Sequence, residues 1–115
     1  MSRRWRLYWT SGGRDLVRQE INDLGRDARA AVLEAMKRHQ RGELMRYEEE
    51  HIKGDLHAVR IFFNGSTYRL LYAYEGRSDQ VLLGLHCLQK KDRKLPGRAR
   101  VLAERRLRDW RSRGG

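Results

Sequence analysis

Between Leu56 and Pro96 the chain runs through three consecutive stretches of alternating side chains, and these constrain its fold more than any other feature. In the first, His57, Val59, Ile61 and Phe63 alternate with Leu56, Ala58, Arg60 and Phe62. In the second, Tyr68, Leu70, Tyr72 and Tyr74 alternate with Thr67, Arg69, Leu71 and Ala73. In the third, Val81, Leu83, Leu85 and Cys87 alternate with Leu82, Gly84, His86 and Leu88. Successive side chains of a strand point to opposite faces. The more uniformly apolar set of each stretch is therefore expected on the core. Arg60, Arg69 and His86 then share the other face, where two guanidiniums and an imidazole suit a phosphate and a proton transfer. Asn64-Gly65 joins the first two stretches, and both residues tolerate the positive φ of a tight hairpin turn. The loop at Glu75-Gly76-Arg77 joins the second to the third.

The flanking segments supply the helices. Trp5, Leu7 and Trp9 alternate with Arg6 and Tyr8, which predicts a first strand. Ser11-Gly12-Gly13 breaks it. Leu16, Val17, Ile21 and Leu24 recur at helical spacing, with Gly25 as the stop. Ala28, Ala31, Val32, Ala35 and Met36 form a second helical stripe, and His39 continues it as a packing residue. Gly42 can end that helix. Residues 43–55 read as a polar loop with room for a short turn of helix, and Glu48-Glu49-Glu50 as a solvated acidic run. Pro96 opens a last helix, since proline fits the first turn. Ala99, Leu102, Ala103 and Trp110 would pack, leaving Arg105, Arg106, Arg108, Arg111 and Arg113 mostly exposed.

The expected fold is α+β. A small, mainly antiparallel sheet of about four strands carries two N-terminal helices on one face, with a basic C-terminal helix bordering the other. At 115 residues this predicts one domain spanning residues 1–115. No apolar run is long enough to cross a membrane, and the basic start lacks the apolar centre of a secretory leader. The single cysteine, Cys87, excludes an internal disulfide and suits a reducing cytoplasm; its apolar neighbours make it a core residue. No zinc-ligand spacing, Walker loop or GxGxxG is present. Residues 89–115 hold eleven Lys/Arg against three Asp/Glu, so they account for +8 of the chain's net +11. Such an end favours a polyanionic partner.

The order of elements resembles the RelE/ParE toxin superfamily, and within it the HigB toxins and their phage-derived relatives. The carrying residues are His51-Ile52-Lys53-Gly54 followed by Leu56-His57-Ala58-Val59-Arg60. Tyr68-Arg69-Leu70-Leu71-Tyr72, Val81-Leu82-Leu83-Gly84-Leu85-His86 and Lys90-Lys91-Asp92-Arg93-Lys94-Leu95-Pro96 complete the pattern. The resemblance implies a toxin of a type II toxin–antitoxin system. HigB- and RelE-type toxins cut messenger RNA on the ribosome without a metal or other cofactor. The implied partners are the ribosome, its messenger RNA and a cognate antitoxin, for HigB usually a helix-turn-helix protein. ParE-like members keep the fold but inhibit gyrase, so gyrase inhibition or non-catalytic nucleic-acid binding is the alternative. The chain departs from the pattern at its C-terminus, where relatives often place a catalytic tyrosine or histidine and this sequence has Trp110.

Metal-free RNA cleavage needs a base for the 2′-OH proton, cations for the crowded phosphorane and an acid for the leaving 5′ oxygen. Histidine titrates in the right range, and arginine clamps phosphate with a fixed charge. The expected catalytic residues are Arg60, Arg69 and His86. Lys53, Lys90, Lys91, Arg93 and Lys94 are the expected RNA-binding residues. His57 is assigned to the core face and His51 to the surface. Tyr68, Tyr72 and Tyr74 fall opposite the arginines, which makes them core rather than a base-stacking platform.

Overall fold

The computed structural model describes residues 3–90 and 95–114. The elements are β1 (Arg4–Leu7), α1 (Leu16–Asn22), α2 (Arg26–Gln40), a 3-10 turn at Arg46–Glu48, β2 (Glu49–Lys53), β3 (Leu56–Phe63), β4 (Ser66–Glu75), β5 (Val81–Lys90) and α3 (Gly97–Ser112). The strands form one mixed sheet in the order β1-β5-β4-β3-β2. β1 runs parallel to β5, and the remaining pairs are antiparallel.

The sheet therefore has five strands among the described residues, not about four. The extra strand is β2, which falls in the segment expected to be a loop. Its sequence, Glu49-Glu50-His51-Ile52-Lys53, carries one apolar side chain, so no alternation announces it. Charged side chains are usual on an edge strand, where they discourage pairing with other chains. The readable signal was Gly54-Asp55, the two-residue link between Lys53 and its partner Leu56. The acidic run is not simply solvated either. Glu48 is buried and takes both Arg38 guanidinium nitrogens at 2.8 and 2.6 Å, and the Met45 N–H at 2.8 Å.

The β3–β4 hairpin follows its turn chemistry. Asn64 and Gly65 adopt φ of 51° and 76°, and Phe63 pairs with Ser66 across them. Strand parity then decides the faces, because directly paired residues share one. Val59, Leu70 and Cys87 form one buried rung, and His57 and Tyr72 form the next. This face meets α2: the Tyr72 hydroxyl lies 2.9 Å from His39 Nε2. Trp5 Nε1 donates to the Met36 carbonyl at 2.8 Å, tying β1 to the same helix. His39 is buried, as its place on the stripe predicts, and so are Tyr68 and Tyr72.

A bulge interrupts β5. Leu71 pairs with His86 but Tyr72 pairs with Gly84, leaving Leu85 as the extra residue. Leu82 and Gly84 consequently share a face with Tyr72 and Tyr74, the reverse of simple alternation. Both halves of β5 remain buried because α3 covers the second face. Ala99, Ala103, Leu107 and Trp110 are its buried stripe. Arg106 joins them at 8% exposure, so its expected exposure is corrected, while Arg105, Arg108, Arg111 and Arg113 are exposed. Trp110 packs edge-on against Trp9, with ring centres 4.7 Å apart. No helix among the described residues is long and apolar enough to cross a membrane.

The two glycines Gly65 and Gly97 separate conformation from space. A Cβ would meet nothing within 4 Å at either, but only Gly65 has positive φ. Gly65→Ala should lower stability by about 1–2 kcal/mol in urea unfolding. Gly97→Ala, at the first turn of α3, should be neutral or stabilise by up to about 1 kcal/mol.

Candidate functional site

The three expected catalytic residues do share one sheet face. Arg60, Arg69 and Leu88 form one rung across β3, β4 and β5, and Leu71 and His86 form the adjacent one. Their environments differ. Arg69 is 4% exposed and its Nε lies 3.2 Å from Glu50 Oε1, across the sheet from β2. Burial pulls its guanidinium down from the ordinary arginine value; Glu50 opposes that shift and neighbouring Arg60 adds to it. Arg69 therefore has the carboxylate partner that most strand arginines have. Arg60 has none: among the described residues it makes no ion pair, and its buried Nε has no hydrogen-bond partner. A guanidinium left unpaired beside another guanidinium is suited to an anion.

His86 stands at the far side of the rungs and lines a cleft of about 610 Å³ between the end of β5 and the start of α3. Leu88, Gln89 and Lys90 continue the strand wall; Pro96, Arg98, Ala99 and Leu102 form the helix wall. The cleft thus gathers an imidazole, an ammonium and a guanidinium over an apolar floor. Arg60 lies two strands from β5, about 10 Å away at ordinary strand spacing, so an extended anionic chain could reach both.

The His86 ring is held from behind. Its Nδ1 donates to Glu20 Oε1 at 2.9 Å. The same oxygen accepts the Cys87 backbone N–H at 3.1 Å, and Glu20 Oε2 pairs with Arg106 at 2.9 Å. Arg106 also donates to the Leu85 carbonyl at 2.9 Å. Burial pushes the Glu20 carboxyl up, but His86, the Cys87 N–H and Arg106 together outweigh it and hold the group below the usual carboxylate range. Sequence reasoning missed Glu20 and Arg106. Both were legible as polar intrusions on apolar stripes: Glu20 follows Leu16 by four and Val17 by three, and Arg106 falls between Ala103 and Trp110 at helical spacing.

The remaining expected residues separate. Lys90 is in the cleft wall. Lys53 is exposed on β2 and pairs with Leu56, four residues along β3 from Arg60, about 13 Å towards the opposite end of the sheet. Lys91, Arg93 and Lys94 lie outside the described residues. His57 is half-buried and stacks on Tyr72, with ring centres 5.5 Å apart. His51 is exposed and bonds the Gly54 carbonyl at 2.8 Å. Burial pushes the Cys87 thiol up to about 12, which leaves it protonated and inert at neutral pH.

Among the described residues the fold is α+β, with a five-stranded mixed sheet and three helices. The model of the family described as "Phage derived protein Gp49-like (DUF891)" matches residues 19–108, and the chain belongs to that family. The match runs from α1 through most of α3, so it includes Glu20, Arg60, His86 and Arg106. A search of curated proteins finds no match.

The carboxylates predict the acid behaviour. Arg38 holds Glu48 below its ordinary value of 4.5, as Glu20 is held by its own partners. The unfolded chain then binds protons that the folded chain does not. The stability these groups contribute is fully present above about pH 4.5 and is lost as pH falls through their folded values. Burial also lowers His39 and His57 from 6.5, so unfolded imidazoles protonate first and stability begins to decline below that pH. The urea midpoint should fall progressively below pH 6.5 and more steeply below 4.5. Glu48→Gln should be less stable at neutral pH but lose less on acidification.

Proposed function

We propose that this protein is the toxin of a type II toxin–antitoxin system and cuts messenger RNA on the ribosome, by attack of a ribose 2′-OH on the adjacent phosphate. One observation carries the reading: a carboxylate-held histidine lines an open cationic cleft, on the same sheet face as an arginine that no carboxylate among the described residues neutralises. His86 moves the proton, and Arg60 stabilises the phosphorane. Arg69, committed to Glu50, supports Arg60 from the neighbouring strand and adds positive field at the scissile phosphate. Lys90, Lys91, Arg93 and Lys94 hold flanking phosphates, while Lys53 at the far end of the sheet meets ribosomal RNA. The cationic surface attracts these polyanions over several ångströms and is screened by salt. The cognate antitoxin is a helix-turn-helix protein that occludes this surface, and toxin and antitoxin act in the cytoplasm.

A second reading is inhibition of DNA gyrase by the same fold. Its support is Trp110, buried against Trp9 where HigB- and RelE-type toxins often place a proton-exchanging tyrosine or histidine.

Primer extension on cellular messenger RNA after brief induction distinguishes them. The nuclease reading expects cuts inside translated codons that weaken on the order of a hundredfold in Arg60→Ala and His86→Ala. Arg69→Ala should lose both activity and stability, because it leaves Glu50 without its cation. Growth arrest without cuts, together with inhibited supercoiling by the purified protein, would replace the nuclease with the gyrase reading.

A further inference from the structure

We propose that Glu20 and Arg106 are positioning residues that keep a hydrogen on His86 Nδ1 and so make its Nε2 the general base of the cleft. The inference rests on the nuclease reading for its catalytic half and on geometry alone for its structural half.

The geometry leaves the imidazole little choice. Glu20 Oε1 is an acceptor 2.9 Å from Nδ1, so that nitrogen carries the hydrogen. In the neutral ring Nε2 then holds the lone pair. No partner engages Nε2 among the described residues, and the side chain lines the cleft. Glu20 is itself clamped. The Cys87 N–H and the Arg106 guanidinium take two further acceptor directions, and Arg106 is in turn anchored on the Leu85 carbonyl. Three elements, α1, β5 and α3, thus meet at one carboxylate. The arrangement follows the logic by which a buried carboxylate orients a catalytic histidine and stabilises the imidazolium as it forms.

The chemistry balances within the cleft. The 2′ O–H bond breaks and its proton passes to Nε2, while the 2′ oxygen forms a bond to phosphorus. The bond from phosphorus to the 5′ oxygen breaks, and the departing oxygen takes a proton from solvent water, which the open cleft admits. The products are a 2′,3′-cyclic phosphate and a 5′-hydroxyl. The imidazolium left behind has both N–H groups, with Glu20 opposite one of them, and returns its proton to water.

The test uses the full chain in two measurements. Long-range nitrogen–proton NMR of the His86 ring reads the tautomer, and cleavage in a reconstituted translation system reads kcat and KM. Wild type should show the Nδ1–H tautomer. Glu20→Gln, which keeps an oxygen for the Cys87 N–H but removes the charge, should lower kcat on the order of a hundredfold with KM little changed. Glu20→Asp keeps the charge for Arg106 but withdraws it from the imidazole, and should give a smaller loss of the same kind. An Nε2–H tautomer in wild type would overturn the proposal without any variant. Equal kcat in wild type and both variants would overturn it as well. If wild type cuts no RNA, the nuclease reading fails on its own; an Nδ1–H tautomer present in wild type and lost in Glu20→Asp would then sustain the positioning half.

Discussion

β5 has an edge that its neighbour does not finish covering. β1 pairs only with Val81 to Gly84, and β5 continues to Lys90. The Leu85 carbonyl and the Cys87 N–H beyond that point need partners, because a buried unpaired backbone group costs about as much as a lost hydrogen bond. Arg106 from α3 supplies the donor and Glu20 from α1 supplies the acceptor. Those two side chains then carry opposite charges in a half-buried place and pair with each other. Packing of α1 and α3 against the same strand, the orientation of His86 and the wall of the cleft all depend on this junction.

The bulge at Leu85 lies within the same stretch. It reverses the parity of the first half of β5, which lets Gly84 face the α2 side, where Leu7 of β1 crosses it closely. The second half keeps His86 in phase with Arg69 and Arg60. One inserted residue thus lets a single strand serve two surroundings: parallel pairing with β1 on one side of the bulge and a polar wall on the other. Bulges re-aim side chains in this way beside binding surfaces.

Arginine has three distinct uses in this fold. Arg38 neutralises the buried Glu48 and the buried Arg69 meets the half-buried Glu50, and each pair pins a neighbouring element: the 3-10 turn in one case, β2 in the other. Arg111 reaches Asp55 and Glu75 together, fastening the end of α3 to two strand ends. Arg60 and Arg98 have no such carboxylate among the described residues and border the face that the cleft opens onto. Net charge alone cannot separate these uses, since what distinguishes them is the neighbour each side chain meets.

By itself the sequence determined the local structure. Period-two alternation, Asn64-Gly65, the helical stripes and Pro96 specified β1, the three central strands and all three helices, because these signals act over a few residues. It also placed Arg60, Arg69 and His86 on one face, since strand parity is a property of the chain. Only the tertiary structure decided the rest. β2 became a strand because β3 offered it an edge and Arg69 offered Glu50 a charge, not because its own residues alternate. Arg106 became buried because Glu20, eighty-six positions away in the chain, waits beneath it. The partners of a charged side chain are set by which elements pack together, and that information is long-range.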